Sequence, residues 1–300
     1  MLSDGRRLHL QDGPIDLIVE VFGGVEQIKA AYEAAAGRFH SLLDELCDEL
    51  PLLRAPAHPG YCRLTGPVAR RMHAAVAPFA ADRFITPMAA VAGSVAEEIL
   101  AAMTASTSFD KAYVNNGGDI ALHLSRGEDF AIGLVDRPDR PNLFGTLRLR
   151  AGDGVAGIAT SGWRGRSFSL GIADAVTVLA ATASQADAAA TIIANEVDLP
   201  HHPSIDRVPA RDIQPDSDLG DRLVTRGVGP LSRAEVDEAL ACGTDFAEQL
   251  VRRGLISAAA LHLQDRTRVA GVSRNDNETI VRVRIPASAG SIMSEKDGLR

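Results

Sequence analysis

The chain has 300 residues, of which 46% are hydrophobic and 23% charged, which gives one large globular domain or two modest ones. The formal net charge of −8 argues against non-specific nucleic-acid binding, which depends on clustered Lys and Arg. Cys47, Cys62 and Cys242 form no C-x-x-C pair, so neither a zinc knuckle nor a disulfide framework is indicated, and reduced thiols in a cytoplasmic protein are expected.

The N-terminus is polar, and no stretch reads as a signal peptide or as the roughly 20 apolar residues of a membrane span. Leu8 and Leu10 alternate with polar neighbours, Asp12-Gly13-Pro14 turns the chain, and Ile15, Leu17, Val19 and Val21 alternate again, which predicts a hairpin over Arg7–Val21. A helix over Val25–Leu50 follows from apolar positions at Ile28, Tyr32, Ala35, Phe39, Leu42, Leu43, Leu46 and Leu50, with Pro51 as its stop. A shorter helix is expected over Val68–Phe79. Another begins after Pro87, with Met88, Val91, Val95, Ile99 and Met103 on one stripe.

The middle is β-rich, with strands expected at Ala112–Asn115, Asp119–Leu124, Phe130–Val135, Leu147–Arg150, Val155–Thr160 and Val176–Ala180. An Ala-rich helix spans Ser184–Glu196, and a Pro- and Asp-rich linker Pro200–Asp221. Ser232 and Glu235 form a capping-box pattern, and a further helix is expected from Thr244 to Gly254. Ala258–Val269 and Thr279–Ile285 read as an antiparallel pair, and the residues from 287 on as a disordered tail. Strands and helices come in blocks, so the fold class is α+β.

Asp187 and Thr191, four apart on the Ala-rich helix, stack two oxygen ligands one turn apart, and a hard cation such as Mg²⁺ takes oxygen ligands. The rival for Asp187 is an N-cap or first-turn role. Asn115-Asn116-Gly117-Gly118-Asp119 reads first as a hairpin turn and second as a backbone cradle for a phosphate or ring carbonyl. Thr160-Ser161-Gly162 is a phosphate-holding turn or a plain strand exit, and Arg164 and Arg166 are phosphate partners or surface arginines. His201-His202 lacks an evident third metal ligand and reads as two surface histidines.

Three segments, Thr86–Leu100, Tyr113–Leu122 and Thr160–Asn195, resemble in order and spacing the ApbE-like superfamily, whose founding members are FAD:protein FMN transferases. They are most similar to a bacterial and archaeal branch of it. The resemblance implies a T-fold-like α+β architecture of mostly antiparallel sheets with long helices packed on their faces. It sets a core domain at 1–200, a C-terminal extension packed on it at 201–286, and the tail at 287–300. It also implies Mg²⁺ held by the Asp187 and Thr191 side chains, which would carry catalysis, and by a main-chain oxygen of Ala90. Asn116, Gly117, Gly118 and Asp119 would line the flavin cleft, and Thr160, Ser161 and Gly162 would hold phosphate or ring.

The family reaction is binding of FAD, cleavage of its pyrophosphate with Mg²⁺ help, and passage of FMN to a Thr hydroxyl of an acceptor flavoprotein or to water. The implied partners are a small-molecule flavin nucleotide and such an acceptor, with no nucleic acid and no membrane. The extension would cover one end of the site or form a homo-oligomer contact. Two family elements are missing. Gly93 stands where the family has a Lys, and Ser167–Ala173 lacks the family's His and Pro. The alternatives are therefore a catalytically inactive flavin- or nucleotide-binding or assembly module, and an enzyme on the same scaffold acting on another substrate through Asp119, Asp174 or Arg166.

Overall fold

Side-chain alternation and two-residue turns build most of the β structure. In the computed structural model, which describes residues 1–135 and 143–271, β1 (Leu8–Asp12) and β2 (Ile15–Phe22) pair antiparallel with Asp12 opposite Ile15. Leu17, Val19 and Val21 then fall on one buried face, as a period of two requires. β3 (Lys111–Asn116) and β4 (Asp119–Leu124) close in the same way, with Asn116 opposite Asp119. The connecting Gly117 and Gly118 have φ of +66° and +114°, a turn that a side chain at either position would strain.

β5 (Asp129–Val135) and β6 (Leu143–Arg150) form a separate ribbon. β7 (Gly157–Ser161) and β8 (Ala175–Ala180) return to the main sheet. β9 (Ile205–Pro209) and β10 (Leu223–Val228) make a second ribbon, and β11 (Ala258–Leu263) and β12 (Arg266–Ala270) end the described chain. The principal sheet has eight strands in the order β1-β2-β3-β4-β7-β8-β11-β12, each antiparallel to its neighbours.

Helices cover one face of this sheet. They are α1 (Val25–Phe39), α2 (Leu42–Asp48), α3 (Leu50–Leu53), α4 (Pro67–Val76), α5 (Val91–Ser106), α6 (Ala183–Glu196) and, after the short α7 (Ala210–Ile213) that packs on β9, α8 (Arg233–Arg252). Val114, Val176, Val178 and Leu261 of the sheet share one hydrophobic cluster with Ile99 of α5, Ile193 of α6 and Leu240 of α8. On the other face the β5–β6 ribbon lays Leu134, Leu147 and Leu149 against Leu122, Ile158 and Leu179. The result is an α+β architecture of mostly antiparallel strands, as the block pattern of the sequence implies.

Several boundaries differ from the expectations for a physical reason. The Val25–Leu50 stripe is three helices that bury a shared side, with a break at His40-Ser41. Pro51 is no stop. It sits in the first turn of α3, where its missing N–H costs nothing. Thr244 does not begin a helix but lies inside α8, its hydroxyl donating to the Leu240 carbonyl at 2.6 Å. Ala258–Val269 is not one strand but a hairpin turning at Gln264-Asp265, with Gln264 at φ +53°. The linker Pro200–Asp221 contains β9 and α7.

Residues 258–270, assigned from sequence to an extension, are strands of the principal sheet, β11 pairing with β8. The expected strand 279–285 and the tail 287–300 lie outside the described residues. Among the described residues Pro87–Ser106 is long and apolar enough, by length and composition alone, to cross a membrane, although it carries Glu97 and Glu98 and so is not an uninterrupted apolar run. In the fold it packs against α1, α6, β3 and β4 and buries Val95, Ile99 and Met103.

At the start of α8 the capping box is complete. Ser232 Oγ accepts from the Glu235 N–H at 3.4 Å, and Glu235 Oε2 accepts from the Ser232 N–H at 2.6 Å. His202 also reaches Glu235, at 3.0 Å, and this bond together with those from Ser232 holds the Glu235 carboxyl down at about 2. Replacing Ser232 with Ala should lower stability by about 1 kcal/mol in urea unfolding, the usual worth of such a cap. An unchanged unfolding midpoint would mean the box contributes nothing to this fold.

Candidate functional site

The site is organised by two helix N-termini. Thr182 caps α6, its Oγ1 accepting from the Gln185 N–H at 3.3 Å. The next free donor, the Ser184 N–H, is taken by Glu97 of α5 at 2.6 Å. Arg71 of α4 holds that carboxylate at 3.2 Å and the neighbouring Glu98 at 2.9 Å. The reverse contact comes from Asp187, whose Oδ2 accepts the Gly93 N–H at 3.0 Å. Gly93 lies in the first turn of α5, so this N–H has no partner within its own helix.

Each helix therefore caps the other. Asp187 does not cap its own helix, since it sits five residues past the N-cap, and its carboxylate faces the positive end of the α5 dipole. The contact requires a very short approach. A Cβ added at Gly93 would lie 2.3 Å from the Ala183 carbonyl oxygen. The position aligned with the family Lys thus has no room for any side chain.

The β3–β4 turn meets the same place. Asn116 is buried, and its Nδ2 donates to the Ala92 carbonyl at 3.2 Å, which ties the turn to the start of α5. Asn115 Oδ1 accepts from the Gly118 N–H at 2.8 Å. Asp119, the first residue of β4, accepts from the Thr160 N–H at 3.2 Å. Asp119, Asp187 and Thr191 line one cleft of about 400 Å³, together with Met88, Arg166 and Phe168. The loop from Gln214 to Leu219 forms another part of its wall, with Arg54 beside it.

Burial raises both carboxyl pKa values. Asp119 is pushed up to about 7, opposed by the Thr160 N–H. Asp187 stands well above the usual carboxylate range because of burial first and the charge of Asp119 second, opposed by the Gly93 and Ala92 N–H groups. Among the described residues no Lys, Arg or His pairs with either group. Two neighbouring carboxyls in a half-buried cleft are relieved by a proton or by a cation.

Other expected residues stand behind this wall. Ala90 ends a 3₁₀ turn (Pro87–Ala90) and is fully buried, with the cleft-lining Ala89 and Val91 on either side. Gly117 and Gly118 form the hairpin turn and are not part of the cleft lining. Thr160 gives its N–H to Asp119 and its hydroxyl pairs with Thr177 at 2.9 Å. Ser161 ends β7, and Gly162 packs against the backbone of Ala173 and Asp174.

Asp174 is buried and fully engaged. It accepts from Trp163 Nε1 at 3.0 Å, Arg164 Nε at 2.5 Å and the Gln264 N–H at 2.6 Å, and so joins β8 to the β11–β12 turn. Arg164 is therefore an ion-pair partner with its guanidinium over the Trp163 ring, while Arg166 reaches the cleft. His202 is held by Glu235, away from the cleft lining. The cleft residues that sequence reasoning missed are Arg54, Met88, Phe168 and the Gln214–Leu219 loop. Met88 reads in the sequence as part of a helix stripe, Phe168 lies in the segment marked only by the missing His and Pro, and the loop lies inside the stretch read as a linker.

The donor set suits Mg²⁺. The cleft presents carboxylate and hydroxyl oxygens from Asp187, Thr191 and Asp119, and no Cys or His lines it. Among the described residues no three His, Cys, Asp or Glu side chains cluster as a metal site. A bound Mg²⁺ would therefore draw on hydroxyl, main-chain or ligand oxygens as well, which matches a cation that keeps several waters and binds with substrate phosphates.

Comparison with known proteins agrees with the sequence reading. The family model described as AbpE bacteria matches residues 1–269, and the chain belongs to this family, a branch of the ApbE-like superfamily. A UPF0280 protein of Methanopyrus kandleri is 43% identical over 129 residues, covering 43% of this chain and 48% of that protein, so the chain spans about half the length of this relative. A UPF0280 protein of Methanoculleus marisnigri is 36% identical over 178 residues, covering 58% of this chain and 72% of that protein. Among solved structures, the apo flavinyl transferase ApbE of Pseudomonas stutzeri is 14% identical with a TM-score of 0.49, over 93% of both chains.

Gly93→Ala tests the helix approach directly. The added methyl must push α5 and α6 apart, so unfolding in urea should show a loss of about 1–3 kcal/mol, the usual cost of overpacking. Wild-type stability in this variant would mean that the two helices are not held at backbone contact.

Proposed function

We propose that the protein binds a flavin nucleotide, FAD, together with Mg²⁺ in the Asp119/Asp187 cleft. The reaction this reading supports is FMN transfer to a protein hydroxyl or hydrolysis of the FAD pyrophosphate. The observation that carries it is the convergence of Asp187 and Thr191, one turn apart on α6, with Asp119 from the β3–β4 turn on one cleft. Membership of the family supports it independently.

In this reading Asp187 and Thr191 hold the cation, with a main-chain oxygen of the Pro87–Ala90 turn at Ala90 as a further ligand. When bound, Mg²⁺ supplies charge neutralisation and alignment of the phosphates. Asp187 is oriented by the Gly93 N–H, which fixes its carboxylate plane without neutralising it. Asp119 is held by the Thr160 N–H, so it presents oxygen at a fixed position opposite Asp187. Arg166 offers a cation to the phosphates. Phe168 and Met88 give the cleft an apolar wall suited to a ring. Asn116, Gly117 and Gly118 shape the turn that carries Asp119, and Thr160, Ser161 and Gly162 form the strand end behind it.

Titration with FAD, followed by flavin fluorescence or calorimetry, should show binding with Mg²⁺ and its loss with EDTA. Asp187→Asn keeps an oxygen that can accept from Gly93 but removes the charge, and should weaken the Mg²⁺-dependent binding at least about tenfold. Metal-independent FAD binding, or binding unchanged by Asp187→Asn, would overturn this assignment.

A second reading is a binding or assembly module without turnover. Gly93 favours it, because the slot between α5 and α6 excludes the Lys that the transferases carry there. Conversion of bound FAD to FMN and AMP, assayed by chromatography, separates the two readings.

A further inference from the structure

Two arginines reach the cleft, and they differ in how they are occupied. Arg166 is exposed and rests against the β3–β4 turn, where a Cβ added at Gly117 would lie 3.2 Å from its Nη1. No carboxylate pairs with it among the described residues. Arg54, at the end of α3, is engaged. Its Nη2 meets Asp216 Oδ2 at 2.8 Å, with the arginine side chain 32% and the aspartate 62% exposed.

Asp216 belongs to a compact excursion of the chain. The Ala210 N–H donates to the Arg222 carbonyl at 2.9 Å and the Arg211 N–H to the Gly220 carbonyl at 3.0 Å, so the two ends of the loop are joined and its tip is laid along the cleft. Thr86, which is buried, donates to Asp218 and fastens the tip beside Asp216. An exposed aspartate carboxylate is the group that most resembles one phosphate edge, and Arg is the side chain best shaped to take either.

We propose that Arg54 is a second anion-holding residue of the cleft and that Asp216 is its built-in competitor: the loop carboxylate occupies the guanidinium until a phosphate-bearing ligand displaces it. This rests on the reading of the cleft as a nucleotide site and adds to it a residue and an exchange. The exposed pair is weak enough to be exchanged, since ion pairs open to solvent contribute little net stability. A multiply charged phosphate group, held at the same time by Arg166, outcompetes a single carboxylate. Fastening by Thr86 and Asp218 keeps the loop in place while Arg54 changes partners.

The test is ADP binding in Mg²⁺ buffer by calorimetry, at low and at high salt, on four proteins: wild type, Asp216→Asn, Arg54→Met and the double variant. Asp216→Asn should tighten ADP binding about three- to fivefold at low salt, the range set by an exposed ion pair, and less at high salt. Arg54→Met should weaken it about tenfold, as loss of a charge-assisted contact does. In the Arg54→Met background, Asp216→Asn should add nothing, because the competitor has lost its target. A gain that persists in that background would show that Asp216 acts only through the general field of the cleft, and would overturn the proposal. So would an Asp216→Asn protein that binds no tighter than wild type.

Amide exchange gives a readout that needs no arginine variant. Saturating ADP should leave exchange at the Ser217 amide, which donates to the Gln214 carbonyl, unchanged or slower because the loop stays fastened, and faster exchange there would mean that the loop opens and would overturn an exchange in place. Wild-type ADP binding without these effects overturns the exchange alone, whereas no ADP binding by any of the four proteins overturns the nucleotide reading with it.

Discussion

The arrangement depends on α5 and α6 meeting backbone to backbone at their N-terminal ends. Glu97 of α5 satisfies a free N–H at the start of α6, and Asp187 of α6 satisfies one at the start of α5. Each carboxylate sits against the positive end of the other helix, where the dipole favours it. The approach is close: a Cβ added at Gly93 would lie 2.3 Å from the Ala183 carbonyl oxygen. The small residues make it possible: Gly93 faces Ala183, and Ala186, Ala188, Ala189 and Ala190 keep the rest of α6 thin. The ion pairs Arg71–Glu97, Arg71–Glu98 and Arg38–Glu98 continue the contact into α4 and α1. The register of four helices is thereby fixed relative to the carboxylate that faces the cleft.

This geometry explains the electrostatics of the cleft. A backbone N–H orients Asp187 but carries only a partial charge, so burial still dominates and lifts its pKa. Asp119 of the same cleft is held alike, with the Thr160 N–H as its partner. A protein that placed an arginine between them would have quenched the pair. The two cleft arginines stand elsewhere, at the turn and at the Gln214–Leu219 loop. No arginine among the described residues therefore neutralises the acidic pair: Arg54 is taken by Asp216, and Arg166 lies at the turn. That separation of charge is what a metal–nucleotide complex would match.

Much of this was legible in the sequence, and the parts that were not share a cause. Period-two alternation located β1 and β2, and the Asn-Gly-Gly-Asp signal located the β3–β4 turn, because these are local properties of the chain. The four-residue spacing of Asp187 and Thr191 placed both on one face of α6. Spacing could not reveal that Asp187 would cap a different helix, since the partner N–H lies 94 residues earlier. The same holds for Arg54 and Asp216, separated by 162 residues in a loop that reads as a linker. The boundary expected near residue 200 fell at a local Pro- and Asp-rich composition, while the pairing of β11 with β8 is a long-range contact that composition does not encode.

The glycine at position 93 changes character in this light. By resemblance alone it is a loss, a lysine replaced by a residue with no side chain. In the structure the absent side chain is what lets Ala183 approach and what exposes the N–H that Asp187 takes. A lysine there would bring a full positive charge next to Asp187 and lower its pKa, whereas the helix terminus orients the carboxylate and leaves its charge available. A site built with lysine and a site built with glycine thus place the same aspartate in different electrostatic states. In the glycine form backbone N–H groups, and no cationic side chain among the described residues, face the Asp119–Asp187 pair.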